Sequence, residues 1–310
     1  MKKGILRATM GAVLSLGLAF GVNGADQKQQ TIGVSVLTMT NPFFKEIADN
    51  IQAEAKKDGY NVIIVSSELD PAKQNDQIND FIAKQVSAIV LNPADSKSVG
   101  ESIKHANKAG IPVFTCDIAC MDPSAKVVSH IATDNYEGGC MAADTMMKVL
   151  GNKGKIVLVT HPTVESGIMR MNGFKDTLKK ANSPIQIVAE TPSYGDKANA
   201  FAAMQDVLQA HPDINGVFAV NDPTAIGVIA ALEKANKKEV IVIGFDGSQE
   251  GKQAVKDGKM YATVCQSTTA IGNGVVDVIA KYFDGDDIKP VTLIPTTVYT
   301  KEDAVKGSSK

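Results

Sequence analysis

Two asparagine and aspartate pairs carry the side chains needed to hold a hydroxylated ligand. Asn92 precedes Asp117 by 25 positions and Asn221 precedes Asp246 by the same 25, with 129 positions between the two pairs. A carboxylate accepts several hydrogen bonds and an amide both donates and accepts, so the set matches hydroxyl groups, which also do both. The repeated spacing points to an internal duplication that brings one Asn and one Asp from each half to a common ligand. The stretch "TNPFF", Thr40 to Phe44, adds Asn41 as a polar partner. Phe43 and Phe44 beside it either belong to a core or lay a ring on the C–H face of the same ligand.

The second Asp-bearing segment, "CDIAC", sets Asp117 and Ile118 near two of the chain's four cysteines, Cys116, Cys120, Cys140 and Cys265. A CxxxC is not the redox CxxC spacing, and no further Cys or His completes a tetrahedral metal set. Next to Asp117 on a strand, Cys116 must point to the opposite side, toward the sheet's packing layer. A buried thiol, a Cys116 to Cys120 disulfide, and pairing with Cys140 or Cys265 all remain open.

The elements that must position these residues are read from periodicity. "TIGVSVL", "YNVIIVSS", "VSAIVLNP" and "IPVFTCD" are short buried strands, separated by the amphipathic helical runs "NPFFKEIADNIQAEAKKDG", "PAKQNDQINDFIAKQ" and "SKSVGESIKHANKAG". The pattern restarts with "GKIVLVTHP", "INGVFAVND" and "EVIVIGFDG" as strands and "AFAAMQDVLQAHP" and "PTAIGVIAALEKANK" as helices. Strands alternating with helices of this length imply βαβ units, parallel sheets and right-handed crossovers. Ligands of such sheets bind at the carboxyl ends of the strands, where all four Asn and Asp residues fall.

At 310 residues the chain is long enough for two lobes with their own cores. A net charge of −2 with 21% charged residues carries no basic footprint, so a nucleic-acid partner is not expected. His105, His130, His161 and His211 are scattered, and the His-Pro steps at His161 and His211 read as surface turns. Neither a GxxxxGK[ST] phosphate loop nor a GxSxG elbow occurs, and "GNG" at Gly272 to Gly274 lacks a third glycine. The expectation is a binding protein without catalytic residues, metal or cofactor. Residues 1–25 place Lys2, Lys3 and Arg7 before the apolar run "ATMGAVLSLGLAFGV". That order reads as a secretory signal peptide, and the mature protein is expected in the periplasm.

"TNPFF", "LNPADS", "SHIATDNYEGG", "AHPDINGVFAVND", "GFDGSQEGKQAVKDGK" and "ATVCQ" occur in order from about Ile32 to Val298. With these motifs the chain resembles the ribose-binding protein family of periplasmic solute-binding proteins. The resemblance implies the periplasmic binding protein type I fold: an α/β protein of two Rossmann-like lobes with parallel sheets, joined by a three-segment hinge. It places one lobe at 31–133 plus 267–295 and the other at 134–266 plus 296–310. It also implies a small sugar or polyol ligand, delivery to the membrane permease of an ABC importer, a chemoreceptor as a further candidate partner, and a monomer. By the match Asn41, Phe43, Phe44, Asn92, Asp117, Asn221, Asp246 and Gln266 occupy ligand-contact positions, with Gln266 at a hinge crossing.

The family pattern is broken at two positions. Members that bind furanose ribose carry arginine at the positions of Ile118 and Ile168. Arginine supplies a planar fork of donors, whereas isoleucine supplies only volume. Arg170 matches a family arginine and is assigned a structural role. Tyr194, rather than Gly195, is taken as the aromatic contributed by the second lobe. The expected ligand is therefore a pentose, deoxy or branched sugar, or a polyol, rather than ribose furanose. Alternatives are a sugar-sensing transcriptional regulator core of the same fold, or a binder of a nucleoside or furanone signal molecule.

Overall fold

A computed structural model describes residues 29–307. The signal peptide expected over residues 1–25 lies outside them. In chain order the first half contains β1 Thr31–Val36, α1 Pro42–Lys57, β2 Asn61–Ser66, α2 Pro71–Ala83, β3 Ala88–Leu91, α3 Val99–Lys108, β4 Val113–Cys116 and β5 His130–Thr133. Then follow α4 Asn135–Val149, β6 Lys155–Thr160, α5 Glu165–Lys180, β7 Gln186–Pro192, α6 Lys197–Ala210, β8 Gly216–Ala219, α7 Asp222–Lys234, β9 Ile241–Asp246, α8 Gln249–Lys256 and β10 Ala262–Cys265. The chain ends with α9 Thr268–Asp284, β11 Val291–Ile294, β12 Thr297–Thr300 and α10 Lys301–Gly307.

The strands form two six-stranded sheets, ordered β2-β1-β3-β4-β5-β11 and β7-β6-β8-β9-β10-β12. The first is parallel throughout, and the second is parallel except for β12, which runs antiparallel to β10. The chain passes from one sheet to the other three times, after β5, after β10 and after β11.

Continuous apolar strands such as "AIVL" in β3 are what a parallel sheet covered on both faces requires. Alternate residues of β3 serve opposite layers: Ala88 and Val90 join the cluster with Phe114 and Cys116, and Ile89 and Leu91 join Ile78 and Phe81. The second sheet divides likewise, with Val157 and Val217 on one face and Leu158 and Phe218 on the other. Cys116 is fully buried beside Phe114 in the packing layer, as its alternation with Asp117 requires. All four cysteines are free thiols, so neither disulfide alternative forms.

Most helix starts are set by short polar side chains. The Asn41 Oδ1 accepts from the Phe43 N–H at 3.0 Å with Pro42 at the first helical position, which fixes where α1 begins. Asn221 caps α7 in the same way by accepting from the Thr224 N–H at 2.9 Å.

Candidate functional site between the two sheets

The carboxyl ends of the strands of both sheets face a shared cavity of about 280 Å³. That is near the lower end of the ~300–1,000 Å³ usual for ligand sites, so it suits one small molecule. Of the residues singled out from sequence, Asn41, Phe43, Phe44, Asp117, Ile118, Tyr194, Asn221, Asp246 and Gln266 all line it. Tyr194 supplies the aromatic side chain there, and Gly195 beside it lines the cavity as well.

Asn92 and Ile168 do not belong to the cavity wall. The Asn92 Oδ1 accepts from the Leu37 N–H at 3.2 Å and its Nδ2 donates to the Cys116 carbonyl at 2.8 Å, so the side chain ties the ends of β1 and β4 together. It is 1% exposed. The reason lies in register. β1 pairs with β3 over Ala88–Leu91 and β6 pairs with β8 over Gly216–Ala219, so Asn92 comes one residue after its strand and Asn221 two residues after its own. A shift of one residue turns a side chain to the other side. Ile168 lies on α5, where Ser166, Gly167 and Arg170, with Val164 just before the helix, supply the wall instead.

The two aspartates are equivalent. In aligned registers, Asp117 and Asp246 fall at matching positions at the ends of β4 and β9. Both adopt positive φ, 62° for Asp117 and 118° for Asp246. The Ile118 N–H donates to the Cys116 carbonyl at 2.7 Å, closing a three-residue turn with Asp117 at its apex. A turn of that hand is rare and strained, and such strain concentrates at ligand sites.

Burial raises the Asp117 carboxyl to about 6, against the opposing pull of Arg170. Its Oδ1 has no hydrogen-bond partner among the described residues. Burial also pushes the Asp246 carboxyl well up; Arg170 opposes the rise and neighbouring Asp222 adds to it. Asp246 Oδ1 accepts from Gln266 Nε2 at 2.8 Å, while Gln266 Oε1 is left without a partner. Asn221 Nδ2 donates to the Gly195 carbonyl at 3.2 Å. An amide has two donors and two acceptor lone pairs, so Asn221 keeps capacity for a ligand.

Arg170 combines two roles. Nε donates to Asn135 Oδ1 and Nη1 to the Val220 carbonyl, both at 2.8 Å, and the guanidinium stacks 3.8 Å above the Phe245 ring. These contacts are structural, as expected. The side chain also lines the cavity, placing a fixed positive charge between the carboxylates.

The apolar wall comes from Phe43, Phe44, Ile118 and Val164, all in the core cluster of the first sheet. Phe43 and Phe44 are 6% and 8% exposed and meet edge to face at 5.5 Å. They are therefore core and cavity wall at once. Val164 belongs to the second lobe's β6–α5 connection, so the lobes are packed together here.

His161 is the residue that the sequence reading missed. Expected at a surface turn, it is 7% exposed and lines the cavity. Burial, with Arg170 adding to it, lowers its imidazole to about 4, so the ring is neutral at pH 7. It directly follows Thr160, the last residue of β6. The same strand-end rule that selected the aspartates would have found it.

Comparisons with known proteins agree with this arrangement. Residues 32–287 match the periplasmic binding protein domain family. The ribose import binding protein of Salmonella typhimurium is 36% identical over 285 residues, covering 91% of this chain and 95% of that protein. The D-apiose import binding protein of Paraburkholderia graminis is 33% identical over 291 residues, covering 93% and 92%. A solute binding protein of an ABC transporter from Bacillus halodurans, solved with bound myo-inositol, superposes with a TM-score of 0.84 at 27% identity, covering 92% of this chain and 99% of that one. With two sheets meeting at a polar cleft, and a family match across most of its length, this chain belongs to the periplasmic binding protein family.

Proposed function

We propose that the protein is the periplasmic solute-binding component of an ABC importer and that it closes on one neutral sugar or polyol. The observation that carries this reading is the convergence of Asp117 from one sheet and Asp246, Asn221 and Gln266 from the other on a cavity to which Phe43, Phe44, Ile118 and Val164 add an aromatic and aliphatic face. Acceptors and amides serve hydroxyls, and rings serve the C–H face, so both sides of a sugar are matched. Relatives named for ribose and D-apiose import and the neighbour holding myo-inositol support this ligand class.

The lobes in this reading are 31–133 plus 267–295 and 134–266 plus 296–310, moving about the three passages between sheets. Contacts to both lobes exist only when they are together, so ligand favours closure through its differential affinity. The permease then recognises the closed pair. Ile118 sets hydrocarbon against the cavity beside Asp117, which suits a deoxy, branched or acyclic ligand better than ribose furanose. The test is a thermal-shift screen of the mature protein against pentoses, hexoses, deoxy sugars, polyols, inositols and nucleosides. A sugar or polyol must raise the melting temperature in proportion to the logarithm of its concentration. Response to nucleosides alone overturns the reading, and a preference for ribose above every other compound overturns the part played by Ile118.

A further inference from the structure

Five buried side-chain polar atoms have no hydrogen-bond partner among the described residues, and three of them belong to residues of the cavity wall: Asp117 Oδ1, Gln266 Oε1 and His161 Nε2. Buried polar groups are nearly always paired, so orphans grouped at one cavity mark the positions that a ligand satisfies. Asp117 and Gln266 already belong to the proposed site. His161 lines the same cavity without a role assigned above, and its surroundings are built to present one nitrogen.

The imidazole packs edge to face against Tyr194, with ring centroids 5.9 Å apart. Nδ1 lies 3.3 Å from the Thr163 hydroxyl, which leaves Nε2 as the nitrogen available to another group. Directly after Tyr194 the chain bends through Gly195 at φ 74°. A Cβ there would stand 3.1 Å from both His161 Cδ2 and Asn221 Nδ2. Glycine therefore keeps the imidazole and the Asn221 amide side by side, with no side chain between them.

We propose that His161 is a specificity-determining contact, whose Nε2 bonds one hydroxyl of the bound sugar or polyol and so selects its configuration. The inference rests on the sugar or polyol reading above and names the residue that chooses within that class. Asp117 and Gln266 present carboxylate and amide oxygens, which accept from hydroxyls over a broad range of directions. A ring nitrogen offers one in-plane direction. The ring is also held by Tyr194 and Thr163, so it cannot follow a hydroxyl that points elsewhere. A ligand with the wrong configuration leaves Nε2 unpaired, and an unpaired buried group is what makes polar sites selective.

The test is calorimetric titration of wild type, His161→Phe and His161→Gln with D-ribose, D-allose, D-fucose, L-arabinose, xylitol and myo-inositol, with apo melting temperatures measured alongside. Phenylalanine keeps the ring and its packing on Tyr194 but removes the nitrogen. Glutamine keeps a polar group, and the comparison is read on it if the phenylalanine variant does not fold. The expected result is a loss of roughly tenfold or more for the best ligand, with a smaller loss for at least one other compound and an unchanged apo melting temperature. Equal losses for every compound bound, or no loss, overturn the inference and leave the sugar-binding reading intact. A wild type that binds none of the six, in a screen where some other class binds, overturns both.

Discussion

Arg170 Nη1 stands 3.6 Å from Asp246 Oδ1, with both side chains less than a tenth exposed, while the equivalent carboxylate of Asp117 has no ion-pair partner within 4 Å. The two aspartates therefore occupy matching positions with different obligations. Asp246 also holds Gln266 at the passage after β10, whereas Asp117 Oδ1 is unpartnered. Replacing Asp117 by Asn removes a buried charge whose desolvation outweighs the support of Arg170 and of the Asn92 side chain. Ligand affinity should fall tenfold or more, while the apo melting temperature stays level or rises. Asp246→Ala should lower both, because it strips Gln266 and Arg170 of a partner. Calorimetry and apo thermal melts of the two variants check the contrast; equal effects on apo stability would remove the distinction.

The raised carboxyl of Asp117 gives binding a pH dependence with a definite sign. Burial favours its protonated form up to about pH 6. A ligand hydroxyl donates best to the ionised form, so proton and ligand compete for it. Through Asp117 alone, affinity should be level well above pH 6 and fall below it, approaching tenfold per pH unit. Asp246, likewise raised and also in the cavity wall, pushes the same way, and His161 takes up its proton only near 4. Titrations at pH 5, 6, 7 and 8 read the fall, and Asp117→Asn should make it shallower, leaving the part that Asp246 contributes.

Asn92 and Asn221 should separate stability from binding. Asn92→Ala orphans the Leu37 N–H and the Cys116 carbonyl at the base of the turn carrying Asp117. About 1–3 kcal/mol for each orphaned group is expected as lost stability, read by urea unfolding of the apo protein. Asn221→Ala should instead lower affinity more than stability. Its helix cap, worth about 0.5–2 kcal/mol, is the smaller part of its role if the amide meets ligand.

The sequence carried the layer architecture and most of the wall, because strand ends in parallel sheets are where ligands sit and the apolar runs located those ends. It failed where one residue decides direction. Equal 25-residue spacings made Asn92 look like the partner of Asn221, but the spacing counts residues and the wall depends on which side of the strand each faces. His161 was lost for a related reason. The following proline signalled a turn, and turns are usually exposed, yet this one is covered by the other lobe. Ile168 and Arg170 lie on one helix two positions apart, and only the helix's rotation against the sheets decides which reaches the cavity.

Helix α5 begins without a cap of its own, and the other lobe supplies one. Val164 precedes the helix and has no side chain to offer, so the Glu165 N–H donates to Ser96 Oγ at 2.9 Å. The Ser96 N–H in turn donates to the Thr163 carbonyl at 3.0 Å, and Ser96 is fully buried. Val164 meanwhile packs into the first sheet's core cluster. A motion that parts the lobes breaks both hydrogen bonds and exposes Val164, so these groups act on the joined state alone. Ser96→Ala removes one cap interaction, about 0.5–2 kcal/mol, from that state. It should weaken ligand binding several-fold without altering any residue of the cavity wall, because affinity scales with the population of the competent state. Val164→Ala should weaken binding as well, through lost burial, but Val164 also lines the cavity, so Ser96→Ala is the variant that isolates closure. Small-angle scattering of the ligand-free variants should show a larger radius of gyration than wild type. Unchanged scattering together with unchanged affinity would mean that the contact at Ser96 does not govern how the lobes come together.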